Sequence, residues 1–116
     1  MRVMERNIKP QRLDSETVRQ VVDLGARIRI ARQRRNLRLE DMADKSGLSR
    51  STVEAVERGA LSTSLGAYLA VLAVMGLSKE VDLIADPGLD RDGLGLALSV
   101  ADKRVRVQRK DIGNDF

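Results

Sequence analysis

The residue types in this chain offer hydrogen-bonding chemistry rather than bond-making chemistry. Its 116 residues include no His and no Cys. That removes the commonest general base, thiol nucleophiles, disulfides and the usual zinc ligands. No glycine-rich phosphate loop and no carboxylate pair at catalytic spacing is visible, so no enzyme, cofactor or metal site is expected. What remains is arginine, hydroxyl and carboxylate chemistry, concentrated between residues 38 and 63: Arg38, Ser49, Arg50, Ser51, Thr52, Glu54, Arg58, Ser62 and Thr63. A guanidinium presents a planar fork of donors suited to phosphate or to a guanine edge, and a hydroxyl both donates and accepts.

Such groups act together only if a rigid element holds them. Residues 38–59 read RLEDMADKSGLSRSTVEAVERG. Leu39, Met42 and Ala43 share one helical face, and Leu48, Val53 and Val56 another. Gly47 stands at the corner, where a left-handed backbone is cheap for glycine. Ser49 follows as an N-cap whose hydroxyl can accept from the amide of Ser51 or Thr52. Ala43 is small where two helices would cross closely. These are the requirements of a helix-turn-helix, whose second helix enters the DNA major groove.

The pattern, with its closing Glu57-Arg58-Gly59, resembles the Cro/phage-repressor (XRE-type) helix-turn-helix family. The resemblance runs from Leu24-Gly25-Ala26-Arg27-Ile28-Arg29 through residues 65–76 and covers residues 22–86. Within that family the chain looks most like HipB-type antitoxins, which repress their own operon and bind a HipA-type kinase toxin. That narrower likeness rests on size and on the tail GLGLALSVADKRVRV. The resemblance implies an all-α, five-helix, phage-repressor-like bundle. It implies an ion pair between Arg32 and Glu57. The family often carries Gln at the position of Leu39, where it helps fix recognition contacts, and Leu cannot do that.

By position in the motif, Arg50, Ser51, Thr52, Glu54 and Ala55 face the groove, behind the capping Ser49. Arg50 can offer a bidentate fork to guanine, Glu54 can accept from cytosine, and Ala55 can meet a thymine methyl. Arg38, Arg58, Ser62 and Thr63 are placed for phosphates. Phosphate contacts set register and base contacts set sequence. One such module covers one half-site, so a homodimer on a palindromic operator in double-stranded DNA is expected, with half-sites about 34 Å or a multiple apart.

The charge distribution agrees. Net charge is +4 and the sequence pI is near 10.0. Residues 1–60 carry 14 basic and 9 acidic groups, residues 61–100 carry 2 and 5, and residues 101–116 carry 5 and 3. The basic excess lies on the helix-turn-helix half and on the tail, as a nucleic-acid footprint requires. One Tyr, one Phe and no Trp leave an aliphatic core. No apolar run suits a signal peptide or a membrane span, so a cytoplasmic, nucleoid-associated protein is expected.

Three regions follow. Residues 1–14 form an arm, extended or disordered, whose Arg2, Arg6, Lys9 and Arg12 could touch phosphate. Residues 15–86 form the DNA-binding domain. Asp14 or Ser15 caps a first helix bearing Val18, Val21, Val22, Gly25, Ile28, Ala31 and Arg32 on one stripe, either continuous to Arg35 or hinged near Gly25. Asn36 is its left-handed end and Ile30 lies off the stripe. Ser64 caps a fourth helix with Leu65, Tyr68, Leu69, Leu72 and Met75 inward, and Ser78 caps a last short helix with Val81 and Ile84 inward. Residues 87–116 form a linker and a tail for dimer or partner contacts. There Leu94–Leu98 fits either alternation or one helical turn, and Arg104-Val105-Arg106-Val107 either a short β-strand or a disordered basic tail. Phe116 could anchor in a partner pocket.

Overall fold

A computed structural model describes residues 12–114 of the chain. Arg2, Arg6, Lys9 and Phe116 lie outside the described residues. Five α-helices follow one another: α1 (Ser15–Arg34), α2 (Leu39–Ser46), α3 (Arg50–Arg58), α4 (Leu65–Val74) and α5 (Arg91–Asn114), with a 3-10 helix at Lys79–Leu83 between the last two. Helices α1 to α4 belong to one compact unit that ends at Ser78, and a second unit begins at Lys79.

Local chemistry sets the helix ends. Asp14 caps α1, its carboxylate accepting from the Thr17 amide at 2.7 Å. That bond holds the Asp14 carboxyl below the ordinary carboxylate range. Helix α1 is continuous, and Asn36 ends it in the left-handed region with φ 56°. The Leu37 amide then reaches back to the Arg32 carbonyl at 3.2 Å, the closing bond of a Schellman end. Gly47, with φ 75°, turns the chain between α2 and α3. Ser49 caps α3 and Ser64 caps α4, each accepting an amide at 3.1 Å.

The first unit closes around Ile28 of α1, Met42 of α2, Val53 and Val56 of α3, and Ala67, Tyr68, Val71 and Met75 of α4 and its end. Helix α3 packs against α1, α2 and α4. Its crossing with α1 is close. A Cβ on Gly25 would lie 2.5 Å from the Val56 carbonyl oxygen and 2.7 Å from the Gly59 amide nitrogen. Only a bare backbone fits there, so Gly25 is a contact point and not a hinge. The Tyr68 hydroxyl donates to the Ala60 carbonyl at 2.8 Å, tying the loop after α3 to α4. Burial pushes that hydroxyl's pKa up.

A buried ion pair joins the same helices. Arg32 Nε donates to Glu57 Oε2 at 2.6 Å and Nη2 to Oε1 at 3.1 Å. Its Nη1 donates to the Leu37 carbonyl at 2.8 Å. The two side chains are only 11% and 7% exposed. Hydrogen bonding to Glu57 raises the guanidinium pKa further, so the charge on Arg32 is permanent.

Several sequence expectations need correction. Val22 is exposed rather than part of the buried stripe of α1, while Ile30 is exposed as expected. In α4 the buried face is Ala67, Tyr68, Val71 and Met75, with Leu69 and Leu72 half-buried and Leu65 70% exposed. The helix reads LGAYLAVLAV, almost wholly apolar, so periodicity could not choose a face. The last short helix is a 3-10 turn of Lys79–Leu83, with Val81 half-buried and Ile84 74% exposed. Ala85 stands in the left-handed region with φ 59°, which a right-handed helix cannot continue through.

The tail differs most. Residues 94–98 and 104–107 are helical, within α5, and hold no β-strand. The linker is short: Asp90 accepts from the Gly93 amide at 2.9 Å and starts the helix. Asp102 pairs with Arg106 at 3.0 Å one turn on, a spacing that only a helix brings together. The fifth α-helix is therefore α5 and not the segment after Ser78.

Two predictions concern stability. Gly47 has open space around its missing Cβ, so Gly47→Ala costs only the left-handed strain, about 1 kcal/mol. Gly25→Ala must push backbone off backbone and costs about 3 kcal/mol despite better helix propensity. Urea unfolding measures both, and the reverse order would refute the crossing. In the same assay Arg32→Met or Glu57→Ala alone loses about 3–5 kcal/mol, since each strands a buried charge or its partner carbonyl. The double variant Arg32→Met/Glu57→Leu stays within about 2 kcal/mol of the parent.

Candidate nucleic-acid interface

Helix α3 has two unlike sides. Val53 and Val56 are fully buried in the core. Ser49, Arg50 and Ser51 at its start are exposed, as is Arg58 at its end. Thr52, Glu54 and Ala55 are half-buried. The hydroxyls at the amino end form a cluster, Ser49 Oγ lying 3.1 Å from Ser51 Oγ and 2.9 Å from Thr52 Oγ1. Ser49 holds the cap and meets both neighbouring hydroxyls, and Ser51 remains exposed.

Arg50 is the first residue of α3, and Arg38 is the N-cap of α2. Both are poor choices for the fold. A helix amino end carries partial positive charge and its amides need acceptors, whereas arginine brings a full positive charge and only donors. Each is held by a carboxylate from the first turn of α2. Arg50 Nη1 lies 3.3 Å from Glu40 Oε1. Arg38 Nη2 and Nε lie 3.2 Å from the two oxygens of Asp41, whose Oδ2 also accepts the Arg38 amide at 2.8 Å. The Asp41 carboxyl is held below its usual range by the Arg38 guanidinium and amide. These arginine side chains remain more than half exposed. Exposed pairs of this kind contribute about 0–1 kcal/mol, so a phosphate or base can replace the carboxylate at little cost.

Arg58 closes α3, and Gly59 follows with φ 71°. The Ala60 amide bonds back to the Ala55 carbonyl at 3.0 Å, which fixes the start of the next loop. Ser62 is exposed in that loop and Thr63 half-buried. A cleft of about 280 Å³ opens beside α3, lined by Arg29, Arg32, Leu39, Glu54, Glu57 and Arg58. Glu54 therefore sits among arginines on the side of α3 toward α1 and α2. Leu39 lines the same cleft and offers no polar atom to it.

The groups named from the sequence fall into three sets. Ser49, Arg50, Ser51 and Thr52 lie together at the start of α3, with Arg38 at the start of α2. Glu54 and Ala55 lie half-buried at the middle of α3. Arg58, Ser62 and Thr63 lie at the carboxyl end of α3 and beyond. Sequence reasoning missed Glu40 and Asp41. Their signal was two acids in the first turn of α2, which reads as ordinary helix-dipole compensation.

The chain matches the family described as a helix-turn-helix domain over residues 23–84. It is 31% identical over 74 residues to an uncharacterized HTH-type transcriptional regulator, y4mF, of Sinorhizobium fredii, covering 64% of this chain and 93% of that protein. The matched span takes in α2, the Gly47 turn, α3 and the Arg32–Glu57 pair, and it exceeds half of the chain: the protein belongs to the helix-turn-helix domain family.

Proposed function

We propose that the protein is a sequence-specific, DNA-binding transcriptional repressor that acts as a twofold dimer on a palindromic operator. The observation that carries the reading is the placement of Arg38 and Arg50. Two cations stand where helix physics disfavours them, exposed, at the adjoining amino ends of the two motif helices. Residues that break local rules without a stabilising return mark functional sites. The motif gives Arg50, Ser51, Thr52, Glu54 and Ala55 to base edges and Arg38, Arg58, Ser62 and Thr63 to phosphates, with Ser49 holding the cap. No helix among the described residues is long and apolar enough to cross a membrane. A cytoplasmic, nucleoid-associated location accords with the DNA reading.

Helix α5 supports the dimer. Leu94, Leu98 and Val105 form one exposed stripe and Leu96, Val100 and Val107 another. A helix with that much uncovered apolar surface needs a partner, and a second copy meets the symmetry of a palindrome. The region from residue 87 onward then serves association, and residues 15–86 serve DNA. The finer reading is a HipB-type antitoxin whose α5 region also meets a HipA-type kinase toxin, with the operon's own promoter as operator. It rests on the resemblance of size and tail. Co-purification of a kinase from the native host tests it; recovery of the dimer with DNA and no kinase leaves a stand-alone regulator. A folded dimer that shifts no upstream DNA would leave a protein-interaction module instead.

In gel shifts, Arg50→Ala should lower operator affinity about 10- to 100-fold and relax preference at one base pair. Arg38→Ala should weaken all sequences alike and reduce the salt slope by about one. Equal effects of both on every sequence would overturn the assignment. Sedimentation of Leu98→Glu/Val105→Glu should show monomers whose α1–α4 unit still unfolds cooperatively; a persistent dimer would remove α5 from the interface.

A further inference from the structure

We propose that Glu40 is a positioning residue for Arg50 and sets how strictly the protein discriminates between bases. The inference rests on the DNA-binding reading above and extends it to a residue outside the recognition helix.

The two residues come from different helices, ten positions apart, and meet across the Gly47 turn at 3.3 Å. Glu40 sits in the first turn of α2, where the helix dipole favours an anion. Arg50 sits in the first turn of α3, which holds no acidic residue. Glu54 lies one turn on in α3, yet the carboxylate that Arg50 meets is that of Glu40. The contact uses Nη1 alone, whereas a bidentate approach to a guanine needs two donors of the fork. A guanidinium tethered at one corner keeps its remaining donors at a defined angle.

Charge works in the same direction. An untethered arginine at a helix amino end binds any phosphate within reach, which adds affinity without sequence information. Glu40 competes with phosphate for Arg50 and repels the backbone itself, since the pair is half-exposed, 56% and 52%. A guanine O6/N7 edge carries no net charge and is not repelled. The pair thus lowers binding to arbitrary DNA more than binding to the right base.

Selection from a randomised duplex library with the full-length protein tests this whatever the operator sequence is. The parent should yield a consensus in which one position depends on Arg50, identified by its loss in Arg50→Ala. Glu40→Ala should flatten preference at that position about tenfold and leave the others intact. On a random duplex its affinity should rise, with a salt slope steeper by about one. Glu40→Gln, which keeps an acceptor but not the charge, should restore the base preference in part while keeping the steeper slope. Thermal unfolding should be unchanged in both, as for any exposed pair. In the Arg50→Ala background, where that preference is already gone, Glu40→Ala should raise affinity for a random duplex by less than it does in the parent. Unchanged preference in Glu40→Ala would overturn the proposal, and so would an equal rise in random-duplex affinity in the Arg50→Ala background. A parent protein that selects no consensus would overturn the DNA-binding reading as well, which separates the two failures.

Discussion

The bidentate pair between Arg32 and Glu57 fixes where the recognition helix can lie. It is short, almost fully buried, and its third donor goes to the Leu37 carbonyl. A buried charge without a partner is very costly, so Glu57 has one acceptable place, and with it the last turn of α3. The Gly25 crossing acts on the same turn from the side, where backbone meets backbone with no room for a methyl group. Helix α3 is therefore held at its carboxyl end by two constraints of different kinds, one electrostatic and one steric. Its amino end, with Ser49, Arg50 and Ser51, is then left exposed on a helix whose other end is fixed.

Hydrophobic burial alone could not do this. The core of the first unit is aliphatic apart from Tyr68, and its members are few. Aliphatic packing is non-directional and tolerates exchange among similar shapes, so it stabilises a bundle without fixing a helix's rotation. Val53 and Val56 say which side of α3 faces inward. Arg32 and Gly25 fix the position of the helix along and across that contact. The division explains why a small domain contains one buried ion pair at all: it contributes geometry where packing contributes energy.

How much of the fold is legible in the sequence follows from the range of the forces involved. Gly47, Ser49, Asn36 and Gly59 announce turns and caps because a single residue's backbone preference decides them. The first three helices are legible because apolar and polar residues recur along them with a clear period. Helix α4 is legible as a helix but not in its facing, since LGAYLAVLAV gives every face the same hydropathy. The tail reads as a strand candidate because RVRV alternates, yet the Asp102–Arg106 spacing and the Asp90 cap, both helical signals, decide it. At the candidate site the arginines are visible from their positions in the motif. Their carboxylate partners are not: contact between Arg50 and Glu40 depends on how α2 and α3 cross, and no local rule states that angle.

The two ends of α3 carry the same chemistry under opposite conditions. At one end an arginine and a glutamate meet at 2.6 Å out of solvent; at the other they meet at 3.3 Å in partial contact with it. Burial decides what each pair can do. In the interior, separating the charges exposes neither to water, so the pair does not open without unfolding its surroundings. Near the surface, water and ions compete with the contact and the net energy is about 0–1 kcal/mol, so a stronger or better-shaped acceptor displaces the carboxylate. The proposed reading of DNA by α3 calls on both properties at once: one end that cannot move, and another whose donors are replaceable. One pair lies inside the core and the other at the rim, on a helix of nine residues.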